Sequence, residues 1–291
     1  MSTPDVRDLG QVVAALTTWQ QDKGPLHLHP GDLGWFSMRG PAATAAAIRT
    51  WSHEGSIRAV GLLDGPQLLR MAIDPRWRDD EELARQIADD ASDPDRGVLH
   101  SGDATIEARG AGRLSQRLSD QGWQADEPWT PFHLDLIAPI VGSELRVEII
   151  GPDRAGDWMA VHWSAFRGTP FTDADRREVT DWWLTMANGP LYPAARSVML
   201  SNEDGDHVAA AAVWSAGPGR PGLVEPMGVH REHRGHGHGR AITRAAAAAL
   251  REMGSSSAIV CAESSNVGAV STYAAAGFSA HPQVCDLRRL D

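Results

Sequence analysis

Three glycines stand at alternate positions, Gly235, Gly237 and Gly239, between an apolar segment ending at Val229 and an Ala-rich stretch running from about Arg240 to Met253. A strand that feeds a glycine turn, which then opens a helix, presents bare backbone N–H groups at the positive end of the helix dipole. That is a seat for a phosphate or pyrophosphate, and glycines keep side chains from blocking the approach. The seat is not that of a P-loop, because no Lys-Ser/Thr pair follows the glycines, nor that of a Rossmann domain, because the turn does not close a first strand. His230, His233, His236 and His238 share the turn. Alternate spacing on a glycine turn is poor ligand geometry and no Cys or carboxylate cluster accompanies them, so no metal is expected.

The turn reads R-x-x-G-x-G from Arg234 to Gly239, and N-x-x-A-x-x-x-Y-x-x-x-G-F follows from Asn266 through Ala269, Tyr273 and Gly277 to Phe278. With the strand-like A-I-V-C-A-E between them, these motifs resemble the Gcn5-related N-acetyltransferase (GNAT) superfamily. The resemblance implies transfer of acetyl from acetyl-CoA, a co-substrate, to a primary amine by direct attack within a ternary complex. Carried over residue by residue, it implies that Met227, Gly228, Val229, Arg234, Gly235, His236, Gly237, His238, Gly239, Arg240 and Asn266 bind the cofactor. It implies Glu225 as the group that deprotonates the incoming ammonium and Tyr273 as the phenol that protonates the departing thiolate. The competing readings are a strand-edge Glu225 that faces solvent or pairs with an arginine, and a Tyr273 that only packs on the sheet. Pro226 cannot donate to a ladder, so its strand should part from a neighbour there, where family members admit the pantetheine arm.

The elements that must position these residues occur twice. From Ile73 to Gly122 is 49 residues and from Val229 to Gly277 is 48, and both intervals run strand, turn, helix, strand, helix, Gly-aromatic. The expected fold is α/β: two tandem GNAT-like domains, each a mixed, mostly antiparallel sheet flanked by helices, splayed at the central strands of the C-terminal one. Residues 1–140 would be a degenerate, structural domain and 141–291 the catalytic one, joined near Ala138–Glu144. In the first, helices are expected at Asp5–Gln21, Pro41–His53, Asp79–Ser92 and Gly112–Gln121, and a loop at Leu26–Gly34. Strands are expected at Ile57–Leu63, Gln67–Ile73, near Val98–His100 and at Phe132–Leu136. Superposing Ile73 on Val229 replaces the glycine turn by Arg78-Asp79-Asp80-Glu81-Glu82-Leu83 and puts Leu69 and Leu118 opposite Glu225 and Tyr273. Carboxylates cannot hold a pyrophosphate, so one CoA per chain is expected.

Net charge is −11, most of it in the first 140 residues, which argues against nucleic acid or an anionic membrane as partner and favours a cationic acceptor. A small-molecule amine is the expected partner, with Phe171, Trp182, Trp183 and Tyr192 as candidates to line its site. A protein N-terminus or lysine is the alternative acceptor, and a catalytically silent acyl-CoA-binding module the alternative function. Neither the acceptor's identity nor the oligomeric state follows from the sequence. Cys261 and Cys285 read as reduced core thiols on strands, and no targeting segment or apolar span is evident, so a cytoplasmic protein is expected.

Overall fold

A computed structural model describes residues 1–140, 142, 145–167 and 169–290. Parts of the expected linker near Ala138–Glu144 and of the loop Arg167–Thr172 lie outside that set. The first half contains α1 (Leu9–Trp19), α2 (Pro30–Phe36), α3 (Pro41–Ala47), β1 (Ile48–His53), β2 (Ser56–Leu63), β3 (Leu68–Ile73), α4 (Glu81–Ser92), β4 (Ala104–Glu107), α5 (Gly112–Asp120) and β5 (Gln124–Asp135). The second contains β6 (Arg146–Ile149), α6 (Ala155–Phe166), α7 (Asp173–Ala187), β7 (Ala195–Ser201), β8 (His207–Ser215), β9 (Gly222–Val229), α8 (His238–Glu252), β10 (Ser257–Glu263), α9 (Val267–Ala276), β11 (Ser279–Ala280) and β12 (Val284–Arg289). The fold is α/β, with one open, mixed sheet flanked by helices.

Across the sheet the order is β1-β2-β3-β4-β12-β5-β10-β9-β8-β7-β6, and β11 pairs with β5. The halves therefore exchange their last strands. β12 lies between β4 and β5, while the C-terminal part of β5, Trp129 to Asp135, runs antiparallel to β10. A buried bidentate ion pair fastens the exchange: Arg109 Nε and Nη2 donate to the two Asp286 oxygens at 2.9 and 2.7 Å. Phe132 of β5 is buried in the second half's core with Tyr273 and Phe278.

Several elements differ from expectation. The stretch Leu26–Gly34 is not all loop, because α2 begins within it. His29 Nδ1 accepts from the Gly31 amide, and Asp32 Oδ2 accepts from the His29 amide at 2.6 Å, closing a capping box around Pro30. Gly31 and Gly34 lie against Trp214, where an added Cβ would come within 2.4 and 2.2 Å of its side chain, so these glycines serve packing. The expected helix Pro41–His53 is a short α3 followed by β1, which returns into β2 through Glu54 and Gly55, both at positive φ. The strand placed near Val98–His100 is instead β4, and β5 starts eight residues before Phe132. Cys261 and Cys285 are both on strands with free thiols, but Cys285 is exposed and not a core residue. Thr172 caps α7 as expected.

Candidate active site

β9 and β10 pair in parallel only at Gly222 and Leu223. Beyond Leu223 they diverge, which fits the missing N–H of Pro226. A cavity of about 490 Å³ fills the gap, lined by Glu225, Met227, Cys261, Asn266, Ala269 and Tyr273 among others. Asn266 is the N-cap of α9, its Oδ1 accepting from the Ala269 amide at 3.1 Å. Gly228 has a packing reason: a Cβ there would lie 2.5 Å from that of Ala165. Val229 ends the strand and leads into the turn.

That turn matches its sequence reading. Gly235 and Gly237 have φ of +83° and +79°, the left-handed region that side chains avoid, and Gly237 caps α8 without any side-chain hydrogen bond. The leading N–H groups of α8 have no intrahelical acceptor and meet the positive end of a 15-residue helix. The helix starts at His238, two residues earlier than expected, so Gly239 and Arg240 belong to its first turn. Gly239 keeps close contact with α9, since a Cβ would stand 3.0 Å from Thr272 Cγ2. His236 and Arg240 are exposed, and His238 is half-buried. Arg234 turns back instead, its Nη2 donating to the Ala165 carbonyl at 2.8 Å. In the first half the same place is self-filled: Asp80 caps α4, its carboxylate accepting from the Leu83 amide at 2.8 Å. Asp80 of the acidic run is thus the cap of α4, and Glu81 and Glu82 add their negative charge to its first turn.

Tyr273 is buried, with its ring 5.4 Å from that of Phe132. Burial, together with the nearby Glu225 carboxylate and Cys261, pushes its phenol well above the usual range and keeps it protonated. A second cavity, of about 530 Å³, opens on the other side of Glu225. Its walls come from both halves: Asp32, Trp35, Phe36, Arg39 and Arg70 from the first, Met159, His162, Trp163 and Trp182 from the second. Glu225 and Arg70 line both cavities. With its side chain 38% exposed, Glu225 remains reachable although it pairs with an arginine.

Of the four aromatic candidates only Trp182 lines this cavity. Trp183 is core, Tyr192 packs on it and hydrogen-bonds Ser197, and Phe171 stacks with Trp163. That a structural first half could cover one side of the acceptor site follows from the sequence, but the residues of its wall do not. Its signal was G-W-F-S-M-R at 34–39, aromatics and an arginine in a stretch that glycines and a proline make look like a loop.

Residues 156–278 match the acetyltransferase (GNAT) family. A mycothiol acetyltransferase of Thermobispora bispora is 28% identical over 238 residues, covering 69% of this chain and 78% of that relative. Among solved structures, a tandem GNAT protein from the clavulanic acid biosynthesis pathway superposes with a TM-score of 0.61 at 16% identity, over 99% of this chain and 96% of that one. A GCN5-related N-acetyltransferase from Sphaerobacter thermophilus gives 0.58 at 17%, over 99% and 94%. These two likenesses are of fold, and they run the length of both halves. Family match, curated relative and whole-chain fold agree with the paired motifs: residues 156–278 are a Gcn5-related N-acetyltransferase domain, in a chain whose fold over its whole length is that of tandem GNAT proteins.

Proposed function

We propose that this chain moves the acetyl group of acetyl-CoA to the primary amine of a small molecule within a ternary complex. Residues 141–291 would bind the cofactor and perform the chemistry, and residues 1–140 would wall the acceptor site. One observation carries this reading: Glu225 lies at the junction of two cavities, one along the parted strands and one walled by both halves. The first fits the cofactor. Met227, Gly228, Val229 and Asn266 would hold its pantetheine arm, and the turn Arg234–Arg240 its pyrophosphate. When bound, acetyl-CoA supplies the activated acetyl thioester.

The chain's own residues have separate tasks. Glu225 takes a proton from the acceptor ammonium and frees the nitrogen lone pair. Its neighbours fix the amine against the thioester carbon, where proximity supplies much of the rate. As the new C–N bond forms and the C–S bond breaks, the Tyr273 hydroxyl donates its proton to the departing sulfur, and the second proton of the attacking nitrogen, made acidic as the amide forms, passes to the Tyr273 phenolate and restores it. Cys261 takes no part, because burial pushes its thiol up to about 11 and leaves it a poor nucleophile.

A small acceptor is supported by the cavity's size, within the range of small-molecule sites, and by the name of the curated relative. Asp32, Asp64 and Glu225 in its lining are matched by Arg39, Arg70 and Arg167, so the case for a cationic amine rests on the chain's net charge of −11. Free thiols suit a reducing compartment such as the cytoplasm. Among the described residues no helix is long and apolar enough to cross a membrane. Incubation with acetyl-CoA and a panel of amino sugars, α-amino acids, polyamines and lysine peptides tests the proposal, read by free-thiol release and product mass. A small amine should be turned over fastest. CoA binding without turnover on any amine would favour a silent module, and a preference for the peptides a protein substrate.

A further inference from the structure

β3 of the first half has lost the carboxylate that the repeat would place at Leu69, which is fully buried in that half's own core. The next residue, Arg70, faces the other way and reaches the second half. Its Nη1 lies 3.0 Å from Asp32 Oδ1 and 3.5 Å from Glu225 Oε1, and its Nε lies 3.2 Å from Glu107 Oε2. Glu107 stands opposite it in the β3–β4 register, and Asp32 arrives on α2. Among the described residues Glu225 Oε1 has this one partner and Oε2 has none.

We propose that Arg70 is a positioning residue for Glu225, holding one carboxylate oxygen so that the other is free for the acceptor ammonium, with Asp32 competing for the same guanidinium nitrogen. The inference rests on Glu225 being the base. A largely part-buried cluster of one arginine and three acids is weak as a stability device, so its place at the seam of the two cavities is the informative fact. The planar guanidinium fork hydrogen-bonds Glu107 and Glu225 and lies in ion-pair contact with Asp32, an arrangement that a lysine ammonium, a point charge, cannot reproduce.

Competition for Nη1 makes the cluster sensitive to protons. Burial raises Asp32 to about 7, against the pull of Arg70 and with help from Glu225 and Glu107. The other charged or titratable groups facing the cluster are Asp64, Arg109 beside Glu107, Arg39, His162 and Arg167 across one cavity, and Tyr273, Cys261 and Glu263 in the other, while the His29 amide holds Asp32 Oδ2. With Asp32 ionised, Arg70 is shared among three carboxylates; with Asp32 protonated, its charge is left to Glu107 and Glu225.

The test uses the full chain with acetyl-CoA and the amine of the panel turned over fastest. Arg70→Lys should lower kcat by about ten- to a hundredfold, as expected for a misplaced catalytic group, with the KM for acetyl-CoA unchanged. In a Glu225→Gln background the same change should cost nothing further, because the residue acts through Glu225. Asp32→Asn should remove the limb of the kcat/KM pH profile near neutrality. A purely structural Arg70 would lower the melting temperature and add its loss to that of Glu225→Gln, which overturns the proposal. If Arg70→Lys does not fold, Asp32→Asn decides alone, and a wild-type profile overturns it. If Glu225→Gln itself keeps the wild-type rate and profile, it is the assignment of the base that fails.

Discussion

Leu28 donates its backbone N–H to the carbonyl of Met71 at 3.0 Å, on the side of β3 that no strand pairs beyond Arg70. Pro25 of the same segment lies where a side chain at Gly110 would stand, 2.1 Å from an ideal Cβ. By the repeat, this is the counterpart of the space between Met227 and Asn266. The first half thus fills with its own backbone the gap that the second half leaves open, much as an added strand would. The same segment then turns into α2 and carries Asp32, Trp35 and Phe36 to the cavity walled by both halves.

Strand exchange makes the halves mutually dependent. Deleting residues 1–140 removes β5 from beside β10 and strips β12 of both neighbours, exposing the core face that Phe132 covers. Unpaired edges and bare apolar surface lead to aggregation. Residues 141–291 alone should therefore be insoluble or lack a cooperative unfolding transition. A soluble, cooperatively folded and active fragment would contradict this.

The glycine turn, the parting at Pro226 and the tandem repeat were legible because each depends on local chemistry: a positive φ, a missing N–H, a recurring spacing. The exchange of β5 and β12 was not, since pairing between strands some 150 residues apart leaves no local periodicity. α2 was hidden by glycines that are there for Trp214, and Arg70 by a repeat that placed Leu69 opposite Glu225 and drew attention past the residue beside it.

Tyr273→Phe removes the proton donor and keeps the ring that packs beside Phe132. Turnover should fall by about a hundredfold or more while the KM for acetyl-CoA stays put, since the hydroxyl acts when the thiolate leaves. Glu225→Gln should hurt most at low pH, where the ammonium is hardest to deprotonate. Steady-state kinetics from pH 6 to 9 checks both, and wild-type profiles in both variants would mean that neither group handles protons.

Two buried histidines, His27 and His29, and the half-buried His162 predict acid lability. Burial pulls His27 to about 3 and His29 and His162 to about 4, from 6.5. Their folded pKa values lie below the unfolded one, so the stability they contribute is complete above about pH 6.5 and is lost as pH falls toward 4. His29 has a geometric reason to stay neutral: its Nδ1 accepts from the Gly31 amide while Nε2 meets the Pro221 carbonyl at 3.1 Å. Its share should be roughly 3 kcal/mol. His29→Asn, which preserves a capping side chain, should flatten the fall in urea midpoint between pH 6.5 and 4. An unchanged slope would remove His29 from the account.

The central claim is that one acetyl-CoA site exists per chain, in the gap between β9 and β10 and on the turn at Gly237. Calorimetric titration of the full chain with CoA, beside Gly237→Glu, tests it most directly. The wild type should bind one CoA. The variant, with a native circular dichroism spectrum, should bind none, because its carboxylate would meet the pyrophosphate at the start of α8. Two sites in the wild type, or unchanged affinity in the variant, would contradict the account.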